Sequence, residues 1–141
     1  MRALFLTEPE MIQSYWPDVE RCIQPVVDQA ARGEFLTEDI KRLCDERRAY
    51  CAVVMDGEKV IMAVAFEFVF YPRMTACNIM ALGGERLNEV ANTFFITFKT
   101  WLYGMGVTVI EASCSSAMSR LLKLIGFEKT YEVVRYEVRL P

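Results

Sequence analysis

Two β-rich runs joined by an Asp-Gly turn constrain the fold of this 141-residue chain more than any other feature. The runs cover residues 50–55 and 58–71, and Asp56-Gly57 between them is a dipeptide typical of a tight β-hairpin. Pro72 ends the second run, because proline cannot donate a ladder hydrogen bond, and residues 74–82 form a third β-rich run. Three neighbouring strands of this kind predict an antiparallel sheet, whose apolar face must be covered by helices.

Helical periodicity flanks these strands on both sides. Apolar residues three and four positions apart predict four helices, and the first contains Pro17 and Pro25, so we expect it to kink or to divide in two. The helices are predicted over residues 12–30, 37–48, 87–102 and 115–125, with further strands over 2–6, 107–113 and 131–140. The resulting order, β-α-α-β-β-β-α-β-α-β, predicts an α/β (α+β) fold. We expect one domain over residues 1–141, with a mixed, mainly antiparallel sheet and helices on both faces.

Composition argues against several classes of function. The net charge of −3 argues against binding to nucleic acid or to an anionic membrane, since both depend on Lys and Arg. The absence of histidine excludes the usual zinc sites and every Ser-His or Cys-His nucleophile pair. The five cysteines contain no Cys-x-x-Cys motif, so we expect buried free thiols. No apolar run reaches the roughly 20 residues of a membrane span, and the first six residues do not resemble a signal peptide, so we expect a cytoplasmic protein.

The most specific local motif is Ser-Ser-Ala-Met-Ser-Arg-Leu-Leu-Lys-Leu-Ile-Gly-Phe-Glu, over residues 115–128. It is similar to the penultimate helix of the GNAT superfamily of acyl-CoA-dependent N-acyltransferases, whose pattern is Asn-x-x-Ala-x-x-Leu-Tyr-x-x-x-Gly-Phe. Leu121 and Gly126-Phe127 match that pattern, whereas Ser115 and Leu122 replace its Asn and Tyr. The predicted element order also resembles that superfamily along nearly the whole chain. The resemblance implies a GNAT fold and an N-acetyltransferase that uses acetyl-CoA.

The resemblance also bears on partners. It implies an acceptor that is either a small amine or an amino group of a protein. In size and in its altered cofactor loop, the chain looks like small phage-encoded GNAT-like proteins, including ones called internal virion proteins. That likeness implies an alternative, a catalytically silent interaction or assembly protein, carried in the virion if it is phage-encoded. A third reading is a coenzyme A sensor that binds without transferring.

Homodimer formation is a further implication of the resemblance. GNAT-type domains often pair through their C-terminal strands, and residues 131–140 alternate between apolar and charged side chains as an edge strand would. The charged residues of that strand equally serve to prevent pairing. Both outcomes stay open from the sequence.

In the GNAT superfamily, the turn after the third hairpin-linked strand wraps the pyrophosphate of coenzyme A. The positive end of the following helix favours phosphate, Gly83 and Gly84 would let the backbone approach a ligand, and Arg86 can add a charged contact. Backbone N–H groups around residues 80–82 would hold the thioester oxygen. The alternative is that the two glycines merely make the turn. The candidate cofactor-binding residues are Met80, Ala81, Leu82, Gly83, Gly84, Glu85, Arg86 and Leu87.

Acetyl transfer to an amine requires a base, and two glutamates are candidates. Strand alternation places Glu67 on the apolar face of Ala63 and Ala65, where we expect burial to raise its pKa, and Glu111 lies on the next strand. The alternative for each glutamate is a structural ion pair or exposure near a strand end. Ser115 is a weak candidate proton donor, and no residue is distinguished as the general acid.

Overall fold

A computed structural model describes all 141 residues and contains five strands and four helices. They are β1 (Arg2–Leu6), α1 (Pro9–Ala30), α2 (Thr37–Asp45), β2 (Tyr50–Asp56), β3 (Lys59–Tyr71), β4 (Met74–Gly84), α3 (Leu87–Gly104), β5 (Val109–Ala112) and α4 (Ser116–Leu124). The strands form one sheet in the order β1-β2-β3-β4-β5. Strands β1 to β4 pair antiparallel with one another in that order, and β5 pairs parallel with β4. The predicted fold class is therefore confirmed.

Helices cover both faces of the sheet, as the element order predicts. On one face α1 and α2 bury apolar side chains against the strands, with Val19, Ile23 and Ile40 fully excluded from solvent. On the other face Phe66 of β3 packs against α3, its ring 5.1 Å from that of Phe98 at an interplanar angle of 71°. Each face thus has its own apolar cluster, which fixes the sheet as the middle layer of the molecule.

The first helix corrects one expectation. Pro17 and Pro25 were expected to kink it or to divide it in two, and the division is wrong, because α1 is a single helix of 22 residues. Val19, Ile23 and Val27 on its inner face are buried against the sheet. This packing offsets the loss of backbone hydrogen bonds at the prolines, because most helical stability in proteins comes from an apolar face packed on the rest of the fold.

The C-terminal segment corrects a second expectation. Residues 131–140 were predicted as the final strand, yet they belong to no strand. No backbone–backbone hydrogen bond involves a residue beyond Phe127. Arg135 ties the segment to the connection between α1 and α2, donating to the carbonyl of Arg32 at 2.9 Å and pairing with Glu34 at 2.8 Å. A strand requires a neighbour for its ladder, and within this monomer the segment does not pair with one.

The cysteines agree with the expectation of buried free thiols in all but one case. All five are free thiols, and four of them are buried. Cys114 is exposed, because it lies in the connection between β5 and α4 rather than in an element that packs on the sheet. None of the four helices combines the length and the apolar composition that crossing a membrane requires.

Candidate functional site

The pairing of the parallel strands β4 and β5 ends partway along β4, at a point that we call the divergence. Their pairing begins at Ala76 opposite Val109 and ends at Ile79 opposite Ala112. From there β4 continues to Gly84 beside β3, while the chain that follows β5 turns away into α4. One side of β4 is therefore without a neighbouring strand at the carboxyl ends of the parallel pair, which is where open α/β sheets generally bind ligands.

A β-bulge in β4 coincides with this divergence. The register between β3 and β4 runs from Ala81 opposite Ala65 directly to Ile79 opposite Phe66, so Met80 has no partner on β3. β5 also ends opposite Ile79, so Met80 has no partner on that side either. Bulges of this kind bend a strand and re-aim its groups. The backbone near residues 80–82, predicted to face a thioester, thus lies where the two strands part.

Both candidate bases lie in one row across the sheet. Asn78 of β4 pairs with Glu67 of β3 on one side and with Glu111 of β5 on the other, so the three side chains share a face. It is the face covered by α1 and α2, because the neighbouring Cys77 packs on the α3 side. Asn78 Nδ2 donates to Glu67 Oε1 at 3.4 Å, and the phenol of Tyr71 donates to Glu111 Oε1 at 2.7 Å.

The two glutamates carry uncompensated negative charge. Both are half-buried, and neither has a Lys or Arg nitrogen within 4.0 Å of its carboxylate. The alternative of a structural ion pair is therefore wrong for both. The hydrogen bond to Glu111 raises the pKa of Tyr71, since an anion as acceptor favours the protonated phenol. Burial, with Glu111 and Glu67 adding, raises the pKa of Cys77 to about 12.

Sequence reasoning missed two residues of this site, Tyr71 and Asn78. Tyr71 is four positions after Glu67 on β3, so strand alternation alone places it on the same face. Asn78 is a polar residue within an apolar strand, which is a visible signal. Ser115 does not join the row. It is the N-cap of α4, where its Oγ accepts a hydrogen bond from the N–H of Met118 at 3.2 Å.

The glycine pair is the end of β4 rather than a turn. A Cβ on Gly83 would lie 2.4 Å from the carbonyl oxygen of Cys22 in α1, and one on Gly84 would lie 2.3 Å from that of Ile61 in β3. Such distances are impossible for a real Cβ, so both positions need glycine for internal packing. The alternative that the two glycines merely make the turn is wrong, because the ladder of β3 and β4 extends through both residues.

The connection from β4 to α3 is short. Only Glu85 and Arg86 separate the two elements, and the N–H of Glu85 donates to the carbonyl of Ile61 at 3.0 Å. Arg86 is the N-cap of α3, and its guanidinium already bonds to carboxylates of Asp56 and Glu89. The N–H of Glu85 and the guanidinium of Arg86 are thus already engaged within the protein, whereas the thioester site near Met80 stays a prediction.

A small apolar cavity lies on the opposite face, between α3, α4 and the sheet. Its volume is about 20 Å³, and apolar side chains alone line it, among them Phe94, Leu122 and Phe127. A volume of this size holds about one water molecule. The cavity is therefore a packing gap and not an acyl pocket.

Comparison with known proteins shows which solved structures share this architecture. No protein family and no curated protein sequence matches the chain. Among solved structures, an aminoglycoside acetyltransferase from an uncultured soil metagenomic sample, in complex with sisomicin, superposes with a TM-score of 0.73 at 10% identity, over 99% of this chain and 96% of the other. An aminoglycoside 6'-N-acetyltransferase from Acinetobacter haemolyticus gives a TM-score of 0.70 at 13% identity, over 100% of both chains.

A third structure carries a bound ligand. A predicted acetyltransferase from Clostridium acetobutylicum with acetyl-CoA gives a TM-score of 0.69 at 14% identity, over 96% of this chain and 94% of the other. At identities this low the superpositions establish the fold alone, and each match spans nearly the whole length of both proteins. Together with the strand order and the diverging parallel pair, they show that this chain has the GNAT fold.

Proposed function

We propose that this protein transfers an acyl group from a thioester to an amino group of a cationic amine. One observation carries the proposal: Glu67 and Glu111, half-buried and without ion-pair partners, flank Asn78 beside the point where β4 and β5 part. Uncompensated carboxylates attract a protonated amine and, once it is bound, provide a group that accepts its proton. The free cysteines are consistent with a reducing compartment such as the cytoplasm.

The proposed reaction assigns a role to each part of the site. A bound acyl thioester supplies the electrophilic carbonyl, and backbone N–H groups at the Met80 bulge would stabilise the negative charge that develops on its oxygen. Glu67 would accept the proton of the attacking amine, because its only hydrogen bond is a long one from Asn78. The new N–C bond forms as the C–S bond breaks. The nitrogen releases its second proton after the N–C bond has formed, and water carries this proton to the departing thiolate, whose thiol has a pKa of about 8.5, so no general acid of the protein is required.

The acceptor class follows from charge. One of the solved acetyltransferases of this fold is in complex with sisomicin, an aminoglycoside. Polyamines and aminoglycosides present several ammonium groups, which suits a site with two carboxylates and no cation of its own. An amino group on a protein is the other acceptor that the resemblance to GNAT enzymes implies.

The direct test is a transfer assay with a radiolabelled acetyl thioester and three acceptors: a polyamine, an aminoglycoside and a lysine-containing peptide. We expect label in the amine product, with a rate that falls as salt rises, since screening weakens attraction between charges. A polyol without amines serves as the matched control and should remain unlabelled. Thioester consumption that is independent of the amine would contradict the proposal.

A second candidate is a catalytically silent GNAT-fold protein that serves in interaction or assembly, including assembly of a phage virion. The short β4–α3 connection, which lacks a pyrophosphate loop, favours this reading. The two candidates differ in ligand binding. A thioester at about 100 times its dissociation constant adds about 2.7 kcal/mol to the free energy of unfolding, so a melting temperature unchanged by acetyl-CoA and by acetyl-pantetheine would favour the silent protein.

We also propose that the protein forms a homodimer through its C-terminal segment. Tyr136 and Leu140 are 90% and 92% exposed, and β5 is an edge strand that pairs only with β4. A two-fold axis between two copies would let each segment pair with β5 of the other copy. The side chains that such pairing would bury on one face are Val134, Tyr136, Val138 and Leu140.

Replacing Val138 with glutamate tests the dimer. We expect the wild type to sediment as a dimer at micromolar concentration and Val138→Glu as a monomer, because each buried apolar side chain of this size contributes about 1.5–3 kcal/mol. Glu137→Gln, on the charged face of the same segment, is the matched control and should remain dimeric. A wild type that sediments as a monomer would sink the proposal.

A further inference from the structure

The connection between β4 and α3 is electrostatically closed to a diphosphate. Lys59 pairs with Glu85 at 3.1 Å, and Arg86 pairs with Asp56 at 2.7 Å and with Glu89 at 2.9 Å. These carboxylates raise the pKa of Arg86, since they favour its charged form. Three acids thus engage two bases, which leaves no cation of this cluster free for a further anion.

The positive end of the α3 helix dipole is also compensated by a negative side chain. A helix N-terminus attracts anions through its dipole and its unpaired N–H groups, but Glu89 already supplies negative charge in the first turn. A diphosphate at this position would add several negative charges to a cluster with more acids than bases. It would have to displace Asp56 or Glu89 from Arg86 to gain a charged contact.

The backbone of the glycine pair and of Glu85 offers no alternative cradle. Gly83 and Gly84 are packed against backbone carbonyls of α1 and β3, and the N–H of Glu85 is used in the β3 ladder. A phosphate-binding loop instead depends on free, converging N–H groups with room for the ligand. The predicted donor site therefore lacks a phosphate cradle at the β4–α3 connection. It retains the bulge at Met80 and the unpaired side of β4 beside it.

We propose that this protein recognises an acyl donor by its thioester and pantetheine arm alone, and that the nucleotide of coenzyme A contributes nothing to binding. The inference rests on the proposed acyl transfer. Its substrate class is an acyl-pantetheine thioester, with or without an attached nucleotide.

Calorimetric titration with three ligands tests the inference: acetyl-CoA, acetyl-pantetheine and adenosine 3',5'-bisphosphate. We expect the two thioesters to bind with dissociation constants that agree within about threefold. The bisphosphate should neither bind at millimolar concentration nor compete with acetyl-CoA. Arg86→Gln should leave the dissociation constant of acetyl-CoA unchanged, as should the matched variant Lys59→Gln.

Two failures are distinguishable. Binding of acetyl-CoA about 100-fold tighter than acetyl-pantetheine, or a loss of that advantage in Arg86→Gln, would overturn the inference while leaving acyl transfer standing. Absence of binding by either thioester would overturn both, and would favour the silent interaction protein. Melting temperatures of both variants show whether a change in affinity reflects a loss of fold.

Discussion

Gly84→Ala is expected to destabilise the protein by about 3 kcal/mol, at the upper end of the usual cost of overpacking. The added Cβ would lie 2.3 Å from the carbonyl oxygen of Ile61 and 2.7 Å from Cα of Met62. Both are backbone atoms of the adjacent strand, which cannot move aside as the end of a flexible side chain can. The melting temperature should fall by roughly 10 °C for a domain of this size, as measured by thermal unfolding followed by circular dichroism.

Gly104→Ala is the matched control. A Cβ at Gly104 meets nothing within 4 Å, and the residue lies in the last turn of α3, where alanine is the better helix former. We expect its stability to equal or slightly exceed that of the wild type. If Gly84→Ala has the same melting temperature as the wild type, packing does not require glycine at this position. The packing of Gly84 would then no longer support the inference about the nucleotide. A bulky residue at Gly84 is uninformative about ligand binding, because it would disrupt the sheet.

Glu67→Gln is expected to lower kcat for acyl transfer by about 100-fold or more, the usual effect of removing a general base. The amide preserves the size of the side chain and its contact with Asn78 but cannot take a proton from the amine. Glu111→Gln should have a smaller effect, because Glu111 already accepts the hydrogen bond of Tyr71 at 2.7 Å. Initial rates at saturating amine measure both, and Glu58→Gln in the β2–β3 turn is the matched control.

Titration of Tyr71 separates the two glutamates by a readout other than rate. The hydrogen bond to Glu111 raises the pKa of this phenol, so the bond stabilises the fold fully below the ordinary tyrosine pKa and is lost as pH rises through the raised value. Glu111→Gln removes the anion, so the pKa of Tyr71 should fall towards its ordinary value. Glu67→Gln should leave that titration in place. Ultraviolet difference spectra against Tyr71→Phe report it, and equal rate losses in both variants would show that the assignment of the base is wrong.

Much of the fold was predictable because local patterns determine it. Asp56-Gly57 specifies the turn of the β2–β3 hairpin, since Gly57 adopts a φ of 64°, which glycine reaches without strain. Period-two alternation in β3 places Glu67 on the face that the structure assigns to it. These features depend on neighbours within a few residues, so the sequence carries them directly.

The candidate site was only half predictable for the opposite reason. Which glutamates would meet depended on the register of three strands, and that register places Asn78 between Glu67 and Glu111 through contacts 11 and 33 residues apart along the chain. Gly83 and Gly84 have the same appearance in sequence whether they cradle a ligand or admit a neighbouring backbone.

By itself, the sequence determined the hairpin, the element types and the alternating faces, because each follows from local sterics and periodicity. Only the tertiary structure decided three other points. It showed that the glycines are taken up by packing against α1 and β3, and that Arg86 is neutralised by Asp56 and Glu89. It also showed that residues 131–140 have no strand to pair with in the monomer. Packing, charge compensation and strand pairing each require a second segment brought close by the fold.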